Sequence, residues 1–200
     1  MRRCRRSLFL ILLILLLSFR ALAAPLPDFE SFASAAGNPE GWKVYRTDQI
    51  RVLRLREGGA LACCLRDGEL AALTVETDRR SPEGTEGTED TEAEEAPVRM
   101  ALAALGCFEE GEIDGILGLP AGGSGTFSGI TALKLSGRNR WGVCLCREQD
   151  FGEMRFIAVH GGVRIHRRWN CSGMDVVRMV TPEAAAQTGL EACALCGGNG

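Results

Sequence analysis

The sequence predicts an α+β fold in which short helices alternate with antiparallel β-meanders, followed by a small C-terminal module with its own organisation. Three observations carry that expectation. Helix-forming stretches precede apolar β-type segments broken by turn residues, once before and once after an acid-rich run. The acid-rich run itself has no aromatic or branched aliphatic residue. The last forty residues place one His and three Cys in an ordered pattern.

Composition bounds the problem first. Two hundred residues, 46% of them apolar, fit one domain or two small ones and exclude wholesale disorder. Nine Cys are too few for a disulfide scaffold, for which about 8–10% of a short chain is usual. Residues 1–23 read as a secretory signal peptide: Arg2, Arg3, Arg5 and Arg6 precede the apolar run Leu8 to Phe19, and Ala21-Leu22-Ala23 supplies the small residues of a cleavage site. The rival reading is an uncleaved anchor from Ser7 to Ala24. The leader takes five Arg and no acid with it, so 18 basic and 26 acidic side chains remain, a net charge of −8. That balance opposes nucleic-acid binding through bulk charge and leaves the membrane to an uncleaved leader alone.

The mature chain divides into four parts. Residues 24–79 read as a helix plus a β-meander. Asp28 caps a helix from Phe29 to Ala36, closed at Gly37, and the segments WKVYR, IRVLRLR, ALACCLR and ELAALTVET follow. Gly58-Gly59 and Asp67-Gly68 mark hairpin turns, and the slip at Val52-Leu53 marks a bulge or a strand end. Residues 80–97, with their Glu-Gly-Thr repeats, read as a disordered, solvated acidic loop. Residues 98–160 repeat the order of helix then meander: Val98 to Leu105 and Glu109 to Leu117 as helices, 120–129 as a Gly-rich loop, and ITALKLS, RWGVCLCR and MRFIAVH as strands. ACCLRDGELAALTV and VCLCREQDFGEMRFIAV align as similar hairpins, through either a tandem duplication or the chance likeness of two half-buried hairpins.

Residues 161–200 carry the most specific signal. His166, Cys171, Cys193 and Cys196 have the spacing H-x4-C, twenty-one residues, then C-x2-C. Two thiolates on one tight turn reach a single zinc ion at about 2.3 Å, and the total of three Cys and one His suits a closed structural zinc site. Between the pairs, Thr181 caps TPEAAAQTGL, with Pro182 at the first helical position and Gly189 closing it. In an exported protein the same cysteines could instead form disulfides, or Cys193 and Cys196 could act as a redox pair.

The pattern H-x4-CSGM followed by TPEAA, GL and AC..C resembles the Ada-type metal-binding module, in the version found at the C-termini of exported bacterial proteins. The resemblance covers about forty of the 200 residues and matches His166, Cys171, Glu183-Ala184, Gly189, Cys193 and Cys196. It implies a small zinc-binding fold rather than a reaction. The DNA-repair members carry a reactive Cys where this chain has His166, so the resemblance does not extend to methyl transfer.

Other constellations are weaker. Ser124 with His160 or His166 is the one Ser-His arrangement available, and 122–126 misses a nucleophile elbow at its last position. Glu109, Glu110, Glu112 and Asp114 read as a solvated helix face. Cys144 and Cys146 share one face of a strand, Cys63 and Cys64 point oppositely, and Cys107 follows a helix; most of these five read as small buried hydrophobes, with a disulfide between Cys144 or Cys146 and Cys63 or Cys64 the open alternative if the two hairpins stack. The expected function is therefore that of an exported bacterial protein of unassigned role with structural zinc, acting through binding, its partner left open and a cell-envelope protein one candidate. The alternative is an exported hydrolase or a thiol-redox protein using Cys193-x-x-Cys196. The intact mass of the exported protein is expected to match a chain beginning at Ala24; a mass retaining residues 1–23 would favour the anchor.

Overall fold

The computed structural model describes residues 26–37, 39–56, 58–78, 90–159, 161–171 and 174–197. The leader, His160 and the first part of the acidic run lie outside them. The chain opens with helix α1 (Phe29–Ala35), capped as expected by Asp28, whose carboxylate accepts from the Ser31 N–H at 2.9 Å. Strands β1 (Lys43–Tyr45), β2 (Thr47–Arg54), β3 (Ala60–Arg66) and β4 (Glu69–Asp78) then form an antiparallel meander. Helices α2 (Asp90–Leu105) and α3 (Glu110–Leu117) follow, and β5 (Ser124–Phe127), β6 (Ile130–Ser136) and β7 (Arg140–Arg147) make a second meander.

The two meanders join edge to edge. β7 pairs with β4, giving one seven-stranded sheet in the order β1-β2-β3-β4-β7-β6-β5. Apolar side chains cover both of its faces. Leu61, Cys63, Leu73, Val75, Val143 and Leu145 pack against Phe32, Val98, Leu102 and Ile116 of the helices. On the other face, Cys64, Ala72, Leu133, Cys144 and Cys146 pack against residues that come later in the chain. This is why β3, β4 and β7 read as continuous apolar runs rather than alternating ones: each strand feeds two cores.

The second core is closed by β8 (Arg155–Ala158), β9 (Arg164–Ile165), β10 (Val177–Val180), helix α4 (Pro182–Gln187) and β11 (Glu191–Ala192). β8 pairs antiparallel with β10, and β9 pairs parallel with β11. Met154, Phe156, Ile157, Val177, Met179 and Ala184 from this region lie on the sheet.

Several expectations are corrected. The acidic run was expected as loop through Pro97, but it is helical from Asp90. Glu and Ala are strong helix formers, and acids in a first turn complement the helix dipole, so low hydrophobicity here does not mean irregular backbone. The Gly-rich segment 120–129 contains an edge strand, β5, turned back through Ser128 and Gly129, both at positive φ. No bulge falls at Val52-Leu53: the register runs through unbroken, with Leu53 in one core and Val52 packed on the other. A register shift occurs instead at Cys64/Leu65.

The aligned hairpins also part company. The β3–β4 segment is a hairpin, turned by Asp67 and Gly68 at positive φ. Its counterpart from Val143 to Val159 is not, because a 3-10 turn at Glu148–Glu153 carries β8 out of the sheet to pair with β10. One close approach needs a glycine: a Cβ on Gly59 would lie 2.1 Å from the Glu76 carbonyl oxygen. Leu73 is fully buried at the centre of the sheet. Leu73→Ala is expected to lower unfolding stability by about 2–5 kcal/mol, read from the urea midpoint at unchanged slope.

Candidate metal centre

The C-terminal region is built around a residue shared between two pairings. His166 exchanges both backbone hydrogen bonds with Phe156: its N–H donates to the Phe156 carbonyl at 2.8 Å, and its carbonyl accepts from the Phe156 N–H at 2.9 Å. That bridge fixes the end of β9 against β8. On its other side, β9 takes β11, and the Cys193 N–H donates to the Ile165 carbonyl at 2.8 Å. Cys193 therefore arrives beside His166 through backbone pairing alone.

Helix α4 sets the approach of that second segment. Thr181 caps it, its hydroxyl accepting from the Ala184 N–H at 3.2 Å. The Thr181 N–H also donates to the Cys64 sulfur at 3.3 Å, which ties the helix start to the sheet. Gly189, at φ +71°, turns the chain out of the helix. After β11 the chain makes a tight turn, and the Gly197 N–H returns to the Cys193 carbonyl at 2.9 Å. This turn carries Cys196 back over the site.

The donor atoms of His166, Cys171, Cys193 and Cys196 all lie within 4.8 Å of one another. Cys171 Sγ is 3.8 Å from Cys193 Sγ, and Cys196 Sγ is 3.8 Å from His166 Nδ1. A tetrahedral zinc ion with bonds of about 2.3 Å to sulfur and 2.0–2.1 Å to nitrogen separates its ligands by roughly 3.6–3.8 Å. The geometry thus fits a metal ion, whereas a disulfide needs its sulfurs about 2.05 Å apart. All eight described Cys are free thiols.

Electrostatics favour the same chemistry. Backbone N–H groups of Cys196 and Leu195 stabilise the Cys193 thiolate and hold its pKa below the usual thiol value. The Arg167 N–H donates to Cys196 Sγ at 3.3 Å, a second such contact. Desolvation, with the hydrogen bonds and charges of Cys196 and Cys193, pushes the Cys171 thiol up to about 11. Without an ion the cluster therefore keeps a proton on Cys171, and a cation can replace that proton. Burial, helped by the Arg164 charge, lowers the His166 pKa and leaves the neutral imidazole that metal ligation requires.

Compared with protein-family models, with curated proteins and with solved structures, the chain matches none. The assignment of the site therefore rests on its own geometry.

The remaining sequence candidates fall elsewhere. His160 lies outside the described residues. Ser124 is exposed on the edge strand β5, while His166 is buried within the Cys cluster. The acids near α3 are structural: Glu109 and Glu112 form a capping box, Asp114 pairs with Arg99 at 2.7 Å, and Glu112 accepts from the Ser128 hydroxyl at 2.7 Å. Burial pushes Cys144 and Cys146 up to about 12 and Cys107 up to about 11, and it raises Cys63 and Cys64 as well. These five stay protonated and unreactive near neutral pH. A cleft of about 690 Å³ opens beside His166, bordered by Arg138, Arg140, Arg164 and Asp175. No helix among the described residues is long and apolar enough to cross a membrane. Thr181→Ala removes the cap of α4 and is expected to cost about 1–2 kcal/mol of stability in denaturant unfolding.

Proposed function

We propose that His166, Cys171, Cys193 and Cys196 hold one structural zinc ion, and that the protein is an exported bacterial protein acting through binding rather than catalysis. The observation that carries this reading is the convergence of three thiols and one imidazole within 4.8 Å. Four protein ligands fill a tetrahedral shell, whereas catalytic zinc keeps one position open for water or substrate. The donor set favours zinc over calcium or magnesium, which take oxygen ligands. The order of ligand pair, capped helix, closing glycine and C-x2-C along the sequence supports an Ada-type module. The signal-like leader supports export.

In this reading the ion clamps residues 161–197 onto the back of the sheet. Its removal frees β9 and β11, whose pairing covers only two residues each, and so exposes the second core. Structural zinc contributes folding free energy outright.

Protein purified without chelator is expected to carry one zinc per chain by elemental analysis. Cys193→Ser and His166→Ala are each expected to abolish that stoichiometry, and a strong chelator is expected to lower the melting temperature of the wild type but of neither variant. Zinc-free protein with Cys193 and Cys196 joined in a reducible disulfide would instead favour the thiol-redox alternative.

A further inference from the structure

A second site lies on the same face of the sheet, away from the four ligand candidates. Cross-strand register places Arg54, Ala60, Glu76 and Gly142 in one row across β2, β3, β4 and β7. Two small residues flank Glu76, so the sheet surface is hollow around it. The cavity measures about 620 Å³, within the usual range for small-molecule sites, and Tyr45, Val159 and Arg178 border it.

The polar groups at its base are held but incompletely satisfied. The Glu76 side chain is only 4% exposed, and its Oε1 accepts from Arg178 Nη2 at 3.2 Å. Its Oε2 has no hydrogen-bond partner; Arg140 Nη1 stands 3.8 Å away. Arg178 Nε is likewise buried without a hydrogen bond. The Arg178 guanidinium lies 4.7 Å over the Tyr45 ring, and Arg140 pairs with Asp78 at 2.7 Å, so both arginines are fixed before any ligand arrives. A buried carboxylate oxygen with no donor is costly, and such groups occur where a ligand or water completes them.

The charged groups that line the cavity are unevenly matched. Arg140 and Arg178 are matched by Asp78 and Glu76 at the base. Lys43 and Arg54 line the cavity from exposed positions and have no carboxylate partner among the described residues. We propose that this cavity binds a small organic anion that also carries hydroxyl or ammonium donors, in the class of hydroxy acids and amino acids. The anionic group pairs with Lys43 and Arg54, and a donor reaches Glu76 Oε2. A bare inorganic anion meets the first requirement and not the second. The site is independent of zinc chemistry, since none of the four ligand candidates lines it.

The test is an NMR titration of the zinc-replete protein with gluconate and L-glutamate, against hexanoate (charge without donors) and glucose (donors without charge). The expected result is saturable amide shifts centred on Gly58, Gly59 and Val159 with gluconate or glutamate, and affinity about tenfold weaker for both controls, the value of one charge-assisted hydrogen bond. Arg54→Ala and Lys43→Ala, both at exposed positions, are expected to weaken that binding about tenfold while leaving the melting temperature unchanged. Glu76→Gln is expected to weaken gluconate or glutamate without affecting hexanoate; should this variant fail to fold, the hexanoate comparison and the rim variants decide. No saturable shift with either acid, equal binding of hexanoate, shifts centred elsewhere, or unchanged affinity in Arg54→Ala would each overturn the proposal.

Discussion

A sheet that is apolar on both faces requires two covers, and most of this structure follows from that requirement. Helices α1 to α3 bury one face with Phe32, Val98, Leu102 and Ile116. The other face falls to the last fifty residues, which contain short strands and one helix of six residues. Such a cover has little regular hydrogen bonding of its own and a large ordering entropy to overcome. Concentrating His166 and three Cys at its end places four candidate metal ligands where extended secondary structure is lacking.

Much of the architecture was legible because it depended on local chemistry. Asp28, Thr181, Gly189 and the Asp67-Gly68 turn act within a few residues of themselves, and each has the role its type implies. The metal cluster was legible for a related reason: H-x4-C and C-x2-C are both short-range pairs, and only their meeting required tertiary structure. What was hidden was non-local. The sequence from Met154 to His160 reads as a third strand of the second meander, yet β8 finds its partner in β10, because β4 already occupies the side of β7 that a third meander strand would take. The helix from Asp90 to Pro97 was obscured by composition, since acidity indicates solvation and says little about backbone conformation. Glu76 left one usable clue, a carboxylate inside the otherwise buried run of β4, but its partner Arg178 lies about one hundred residues away.

The cysteines divide into two chemical populations. Cys63, Cys64, Cys144 and Cys146 occupy the two cores as small apolar side chains, and low dielectric keeps their protons in place. At Cys193 the backbone N–H groups of Cys196 and Leu195 outweigh desolvation and lower the pKa, whereas at Cys64 desolvation outweighs the Thr181 N–H and raises it. Burial does not separate the two groups; position does, since Cys171, Cys193 and Cys196 converge on His166 and the four core thiols do not.

The His166–Phe156 bridge has a mechanical consequence. Tension entering the chain beyond Gly197 meets the C-x2-C turn first, then the Cys193–Ile165 hydrogen bond, and only then the ladder from β9 to β8. Metal–thiolate bonds placed at the head of that series would bear the load before any strand of the main sheet. The clamp would then serve as a strain relief, isolating the seven-stranded sheet from pulling at the chain's tail.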